Sequence, residues 1–395
     1  MMKNLQQTHG FLGSLPESET LATLEKGMDL ERRGIKVAMM SVGEPDFDTP
    51  EPIKQACMHA LKAGYTKYTI PAGIYELRAA IVDKFSENGI KTTPEQVIVS
   101  PGGKFANAAA VTALCGPGDE VVLPVPYWVS HLHMINASGA TPVLVHTYPG
   151  NNYEVTAEAL EAAITEKTRL LILCSPSNPT GTVYRKEALE EIAHFAVKHN
   201  FMVLSDEVYE KLTFIPELPH ISIASLSPEI AERTITINSF SKSYAMTGWR
   251  VGYLTAPTWL AAKIGALQTH FVANATTFAQ YGALTALQDC ESECERMRKI
   301  FSARRDLICE LLSTIPNIRF VNPSGAFYVF VDISAFGLSS MAFCCRMMED
   351  VHVVVAPGIS FGVEGFIRIS YACSEDTIRD AMAAFARFCL SLKNS

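Results

Sequence analysis

Short apolar runs alternate with helical stretches through the first two thirds of the sequence, and this alternation restricts the fold more than any other feature. A strand that is apolar at nearly every position is typical of a sheet covered on both faces, because both sets of alternating side chains are then buried. Stretches such as AEALEAAITEK and KEALEEIAHFAVKHN have helical spacing and separate several of the runs. This alternation predicts an α/β fold with a mostly parallel sheet. The predicted strands are VIVS (97–100), EVVLP (120–124), RLLILC (169–174), FMVLS (201–205), TITIN (234–238) and GYLTA (252–256).

The pattern changes after about residue 260. Long helical runs there, including ECERMRKIFSARRDLICELLSTI, are followed by the strand-like segments FVNPSGAFYVFVDI, HVVVAP and FIRISYA and by a closing helix. A chain of 395 residues can bury more than one core. We therefore predict a large domain over residues 46–290, a smaller α+β domain over 291–395, and an N-terminal segment, 1–45, that packs on the smaller domain.

Composition excludes several classes of function. The formal net charge is −8 and no concentrated basic patch is present, which argues against a nucleic-acid or anionic membrane surface as partner. No apolar run approaches the roughly 20 residues that span a bilayer. The ten cysteines form no zinc-type CxxC pair, so we predict no metal site. Together with an N-terminus that lacks a signal-peptide core, the cysteine usage favours the reducing cytoplasm.

Polar residues follow several of the predicted strands at the point where each strand ends. Ligands of a parallel sheet gather at these carboxyl ends. Two glycines and Lys104 open a helix after the first run, as in an anion cradle, although such a turn can also be purely structural. Asn178 follows the third run and Asp206 the fourth, where an Asx turn and a helix cap are the simpler explanations.

The stretch SFSKSYAMTGWRVG (239–252) follows the TITIN run and places two cations in apolar sequence. Burial and neighbouring cations lower the pKa of a lysine, so Lys242 could act as a nucleophile toward an aldehyde. Arg250 offers a planar fork for a phosphate. Pyridoxal phosphate is the cofactor that combines an aldehyde, a phosphate and a ring nitrogen that pairs with a carboxylate.

The sequence resembles fold-type I pyridoxal-phosphate enzymes, and among them the class I aminotransferases of the aspartate aminotransferase family. The resemblance covers essentially the whole chain and implies a mostly parallel seven-stranded sheet sandwiched by helices, plus a smaller α+β domain. The motifs that carry it, in the family's order, are SVGEPDFDTP, KYTIPAGIYELR, SPGGK, PYW, SPSNPTG, SDEVY, SFSKSYAMTGWRVG, PSGAFYVF and RISYA.

The resemblance implies catalytic roles for residues around the cofactor ring. Lys242 matches the lysine that bonds covalently to the cofactor aldehyde and later moves a proton between the substrate Cα and the cofactor. Asp206 matches the acid paired with the ring nitrogen, which it keeps protonated. Tyr209 and Asn178 match hydrogen-bonding partners of the ring oxygen, and Trp128 matches the aromatic residue stacked on the ring. Asn178 and Trp128 are also expected to contact the substrate.

The resemblance further implies a phosphate site shared between two subunits. Tyr68 matches a residue that reaches the phosphate in the neighbouring subunit, so a homodimer with shared active sites is expected. The residues of the same chain that match the phosphate site are Gly102, Gly103, Lys104, Ser239 and Arg250.

On the substrate side, Arg368 matches the arginine that binds the α-carboxylate, and Gly43 is expected beside it. Lys104 matches the lysine that, in one group of the family, reads the distal carboxylate of aspartate, with Ser18 or Thr20 closing over the site. The alternative is that Lys104 serves only the phosphate.

The function implied is that of an aspartate aminotransferase, which passes the amino group of L-aspartate to 2-oxoglutarate in a ping-pong reaction. Aminotransferases for aromatic amino acids, prephenate, alanine or diaminopimelate share nearly all the motifs, and a β-lyase is a more distant alternative. A transcriptional regulator built on this fold would need an added DNA-binding segment, for which the family match leaves no room.

Overall fold

The computed structural model describes residues 19–393, which form one seven-stranded sheet, two smaller sheets and the helices around them. The helices are α1 (Glu19–Arg32), α2 (Glu51–Lys62), α3 (Tyr75–Glu87), α4 (Gly103–Leu114), α5 (Val129–Ser138), α6 (Ala157–Ala163), α7 (Lys186–His199), α8 (Pro228–Ala231), α9 (Phe240–Ser243), α10 (Thr258–Phe271), α11 (Thr277–Asp289), α12 (Glu291–Ser313), α13 (Ser340–Val351) and α14 (Glu375–Lys393). The strands are β1 (Ala38–Met39), β2 (Val97–Ser100), β3 (Glu120–Val125), β4 (Thr141–His146), β5 (Thr168–Cys174), β6 (Met202–Asp206), β7 (Thr234–Ser239), β8 (Gly252–Thr255), β9 (Arg319–Phe320), β10 (Tyr328–Asp332), β11 (Val353–Val354), β12 (Ala356–Pro357) and β13 (Phe366–Ser370).

The large sheet has the strand order β2-β8-β7-β6-β5-β3-β4. Its strands are parallel except β8, which is antiparallel to both of its neighbours. The predicted α/β fold and all six predicted strands are confirmed. The pattern of apolar runs did not include β4, because this edge strand is mostly exposed and buries only Val145 fully.

Helices cover the large sheet on both faces, and the alternation of side chains along β5 shows how. Leu170 and Ile172 belong to one buried cluster together with Ala106, Ala110 and Leu114 of α4. The intervening residues of β5 point the other way, into a second cluster that contains Leu189, Ile192 and Ala196 of α7. Because both faces are covered, the strand is apolar at almost every position.

A separate core forms around a four-stranded antiparallel sheet of order β12-β13-β10-β9. Its buried residues include Val329 and Val331 of β10 and Phe385 and Phe388 of α14. The short strand β1 pairs in parallel with β11, so residues 38–39 lie against this second core. The division of the chain into domains at residues 45 and 290 stays a prediction.

Among residues 19–393, no helix combines the length and the apolar character needed to cross a bilayer.

Candidate active site

A cavity of about 360 Å³ lies where β5, β6 and β7 end. These strands are parallel, so their carboxyl ends meet at one edge of the sheet, as the sequence pattern predicts for a ligand site. Gly102 and Tyr68 are the two predicted site residues that do not line it. Those that do are Gly43, Gly103, Lys104, Trp128, Asn178, Asp206, Tyr209, Ser239, Lys242, Arg250 and Arg368.

Lys242 is placed by the single helical turn α9, which follows β7 directly. Ser239 caps this turn, because its hydroxyl accepts a hydrogen bond from the Ser241 amide at 3.1 Å. The Lys242 amine donates a hydrogen bond to the Gly43 carbonyl. The lysine is therefore held between the end of the large sheet and the segment that follows β1.

The environment of Lys242 favours the neutral amine. Burial lowers its pKa to about 8, and although the Glu44 carboxylate opposes the shift, three neighbouring cations add to it. The cations are Arg368, Arg250 and Lys104. A primary amine with this pKa is a nucleophile and a proton acceptor near neutral pH.

Asp206 ends β6 as a buried carboxylate with partners from two helices. Asn107 of α4 donates from Nδ2 to Oδ2 at 3.1 Å, and His131 Nε2 of α5 lies 3.3 Å from the same oxygen. The other oxygen, Oδ1, accepts only a long bond from the Val208 amide, at 3.4 Å. The carboxylate is thus held mainly through one of its oxygens.

Tyr209 and Tyr328 form a buried pair of hydroxyls on one wall of the cavity. Their Oη atoms are 2.8 Å apart. Burial raises the pKa of Tyr209 well above its usual value, and the neighbouring Tyr328 adds to the shift, so Tyr209 keeps its proton as a hydrogen-bond donor. A Cβ added to Gly43 would lie 2.4 Å from the Tyr328 hydroxyl, so only glycine fits there without rearrangement.

Arg368 projects from β13 as a buried cation. It donates from Nη1 to Asn178 Oδ1 at 2.9 Å and from Nη2 to the Ser41 carbonyl at 2.5 Å. Its guanidinium carbon lies 4.4 Å from the centroid of the Tyr328 ring and 4.9 Å from that of Phe361, as in cation–π contacts. Its Nε is buried with no hydrogen-bond partner in the described chain. An aligned buried guanidinium with a free donor suits a carboxylate ligand.

The start of α4 forms a cradle with room for an anion. Gly102 has φ +85° and Gly103 begins the helix, so free backbone N–H groups point outward. A Cβ on Gly102 would come within 2.4 Å of Arg250 Nη2, and one on Gly252 within 2.3 Å of the Gly103 nitrogen. Larger residues would fill this space. The residues present therefore fit pyridoxal phosphate, because a phosphate cradle, a reactive amine and a buried carboxylate share one cavity.

Lys104 and Tyr68 have exposed side chains but differ in position, because the amine end of Lys104 is partly buried at the cavity wall. Lys104 Nζ lies 5.1 Å from the centroid of the Trp128 ring at the cavity wall. Burial of its amine, and then Arg250, lower the pKa of Lys104. Tyr68 is 85% exposed and does not reach the cavity of its own chain. Of the residues expected to close the site, Ser18 and the Thr20 side chain lie outside the described part.

Sequence reasoning missed several residues of the site. Asn107 is one helical turn after Gly103 and His131 is three residues after Trp128, so helical spacing from the predicted residues could have found both. Tyr328 lies in the PSGAFYVF motif, which identified the family without singling out this residue. Ser41 acts through its backbone, which no side-chain pattern shows.

A second polar cluster, buried apart from the cavity, resembles a metal site. Ligand atoms of Glu207, Glu210 and His220 all lie within 4.8 Å of one another. The Lys84 amine lies 2.8 Å from Glu210 Oε1 and already supplies a positive charge. The cluster therefore carries no metal assignment.

Comparisons with known proteins agree with this geometry. Residues 35–385 match the sequence profile of the family described as "Aminotransferase class I and II". The chain is 42% identical to the "Probable aspartate/prephenate aminotransferase" of Aquifex aeolicus, over 92% of this chain and 94% of that protein. It is 40% identical to the "Aspartate aminotransferase" of Bacillus sp. (strain YM-2), over 95% and 97%. The solved structure of Thermus thermophilus aspartate aminotransferase with maleate superposes with a TM-score of 0.93 at 39% identity, covering 97% of this chain and 100% of that one.

Proposed function

The chain belongs to the class I and II aminotransferases, and from this premise we propose that it transfers the amino group of L-aspartate to 2-oxoglutarate with pyridoxal 5′-phosphate as cofactor. The products are oxaloacetate and L-glutamate. The observation that carries the proposal is the meeting of a lysine with a lowered pKa, Lys242, with the buried Asp206 and Arg368 in one cavity. Relatives that share about 40% of the sequence are named aspartate aminotransferases.

Each end of the cofactor has a set of residues to hold it. Gly103 and the N-terminal turn of α4, with Arg250, would bind the phosphate, and Asp206 would pair with the ring nitrogen. The Tyr209 hydroxyl would donate to the ring oxygen, and Trp128 would lie against the ring. When bound, pyridoxal phosphate supplies an aldehyde for the substrate amine and a ring that withdraws electrons from the substrate Cα.

Lys242 moves the proton of the reaction. Its neutral amine accepts the proton that leaves the substrate Cα and holds it at Nζ. Burial of Lys242 destabilises the ammonium that forms, so the proton is readily given up again. The Gly43 carbonyl, which accepts a hydrogen bond from this amine, orients it.

Arg368 and Lys104 bind the two carboxylates of the substrate. Arg368 takes the α-carboxylate, because its guanidinium is fixed by Asn178 and by the two aromatic rings beneath it. Lys104 binds the distal carboxylate from beside Trp128. A site with both cations favours dicarboxylic over neutral amino acids.

The working enzyme is a cytoplasmic homodimer in this proposal. Tyr68 is exposed and outside its own cavity, in keeping with a role at the phosphate of the partner subunit. All ten cysteines are free thiols, as suits a reducing compartment.

The test is a panel of amino acids given one at a time to the purified holoenzyme, with conversion of the cofactor to its amine form followed by absorbance. The panel contains aspartate, glutamate, tyrosine, alanine and the amino form of prephenate, because a relative is named for aspartate and prephenate. Borohydride treatment followed by peptide mapping should label Lys242. Fast tyrosine or alanine with slow aspartate would contradict the specificity, and an unlabelled Lys242 would contradict the function itself.

Lys104→Ala tests the distal carboxylate site. Loss of one charge-assisted contact should lower kcat/KM for aspartate and glutamate by about ten- to a hundredfold. Neutral amino acids should lose much less. Equal losses on both classes would show that Lys104 serves the phosphate alone, and Lys167→Ala, at an exposed lysine that does not line the cavity, is the matched control.

A further inference from the structure

Asn107 is a buried polar residue on an otherwise apolar face of α4. It is 1% exposed, and its neighbours on the buried side of the helix include Ala106, Ala110 and Leu114. Asparagine is disfavoured in the interior of a helix, and burying an amide costs free energy unless its polar atoms form hydrogen bonds. An apolar side chain would suit folding better at this position. The reason for an amide at this position lies in the groups that it contacts.

The amide nitrogen of Asn107 joins two parts of the cavity. Nδ2 donates to the Gly103 carbonyl at 3.0 Å and to Asp206 Oδ2 at 3.1 Å. Both neighbours are acceptors, so only the NH₂ side of the amide can face them, and this fixes its orientation. The amide oxygen, by contrast, is buried with no partner in the described residues. The side chain is thus oriented so that it donates a hydrogen bond to Asp206, and this orientation leaves its own amide oxygen without a partner among the described residues.

The carboxylate of Asp206 depends on this contact. Oδ1 receives only the long bond from the Val208 amide, and the titratable groups beside the carboxylate are His131 and Cys174. Among the described side chains, Asn107 makes the one hydrogen bond to Oδ2, whereas His131 Nε2 lies 3.3 Å from the same oxygen without hydrogen-bond geometry. Removing the amide would leave the carboxylate with the His131 ring at 3.3 Å from Oδ2 and the long bond from the Val208 amide to Oδ1, and so less firmly oriented.

We propose that Asn107 is a positioning residue for the cofactor. It holds Asp206 in the orientation that meets the ring nitrogen and ties this carboxylate to Gly103, where the phosphate cradle begins. A single amide group thereby fixes the distance between the two ends of the cofactor site. The proposal rests on the proposed function, because the ring nitrogen belongs to pyridoxal phosphate.

Asn107→Leu removes the donor and keeps nearly the same side-chain shape. A hydrogen bond to a charged group corresponds to about a ten- to hundredfold change in an equilibrium or rate constant. We expect apoenzyme of this variant to bind pyridoxal phosphate more weakly by that factor, measured by titration of the apoenzyme. The rate of the aspartate half-reaction should fall similarly, whereas KM for aspartate should stay close to that of the wild type, because Arg368 and Lys104 are untouched.

Asn88→Leu is the matched control. Asn88 also donates from its amide to a buried carboxylate, that of Glu210, but it does not line the cavity. Both variants should lower the melting temperature of the apoenzyme, and only Asn107→Leu should weaken cofactor binding. If the two variants bind the cofactor equally well, Asn107 has a structural role only and the proposal is overturned.

Asn107→Asp gives a second measurement that does not depend on how Leu packs. Two facing carboxyl groups share one proton, and the protonated partner can still donate to the other. We expect cofactor affinity near that of the wild type at the acidic end of the pH range and a loss as the shared proton leaves. A pH profile parallel to that of the wild type would overturn the proposal. Failure of the proposed function would instead show in the wild type, as an absence of transamination and of labelling at Lys242.

Discussion

The lowered pKa of Lys242 predicts how this amine reacts in the apoenzyme. With a pKa of about 8 instead of the ordinary 10.5, the neutral fraction at pH 7.5 is about one quarter rather than about 0.1%, a gain of roughly two hundredfold. Only the neutral amine attacks an electrophile. Lys242 should therefore be among the most reactive lysines of the chain near neutral pH.

Competitive labelling measures this directly. The apoenzyme is treated with a trace of acetic anhydride across a range of pH. Labelling is then completed with isotopically heavy acetic anhydride, and the peptides are quantified by mass spectrometry. Labelling of Lys242 should rise with pH and reach half its maximum near pH 8, because deprotonation of the amine is the limiting factor. Exposed Lys167 serves as the internal reference for the reagent.

Two comparisons sharpen the test. Glu44→Gln removes the carboxylate that stabilises the ammonium, so the midpoint of Lys242 should move below pH 8. Lys211 should behave in the opposite way. Burial lowers the pKa of Lys211, but the hydrogen bond from its amine to Glu291, at 3.0 Å, and the nearby carboxylate charges of Glu291, Glu210 and Glu87 together outweigh burial and raise it. A Lys242 midpoint above pH 10 would refute the reasoning and remove the basis for its role as nucleophile.

Two further variants test the buried cluster around Glu210 and the start of α4. Lys84→Met should lower the free energy of unfolding by about 3–5 kcal/mol in urea titrations, because it strips the buried Glu210 of its countercharge; a change below 1 kcal/mol would contradict this. Gly102→Ala should weaken phosphate binding to the apoenzyme and cost more stability than Gly64→Ala, since both glycines have a left-handed φ but only Gly102 adjoins Arg250. Equal effects of the two alanines on stability and phosphate binding would rule out the contact with Arg250 as the cause.

The fold was predictable because a strand that is buried on both faces is apolar at almost every position. Each of the six apolar runs is a strand of the large sheet; five lie in its interior, and β2 lies at an edge but is buried at all four positions. The edge strand β4 was not predicted, because only one of its residues is fully buried and its sequence therefore lacks the continuous apolar pattern of the other strands. The resemblance to a family, not the pattern, supplied the seventh strand.

The site was predictable in its parts more than in its contacts. The rule that ligands gather where parallel strands end placed Asn178 and Asp206 correctly at the cavity, whereas their roles there stay predictions. The bond from Arg368 to Asn178 joins residues 190 positions apart, and that from Lys242 to Gly43 joins residues 199 apart. Periodicity shows which face of an element is buried but not which distant side chain it meets.

The cavity concentrates positive charge in a chain whose net charge is −8. Its lining includes four cationic side chains, Lys104, Lys242, Arg250 and Arg368, against two carboxylates, Glu44 and Asp206. A field of this sign would attract dicarboxylates and the phosphate of the proposed cofactor, and the low dielectric of the walls strengthens it. The same field disfavours a proton on Lys242, which adds to the effect of burial on its pKa. Binding of an anionic substrate and activation of the amine therefore have one electrostatic origin. In the proposed reaction, anions that neutralise Arg250 and Arg368 would raise the pKa of Lys242 and make it a stronger base when it accepts the Cα proton.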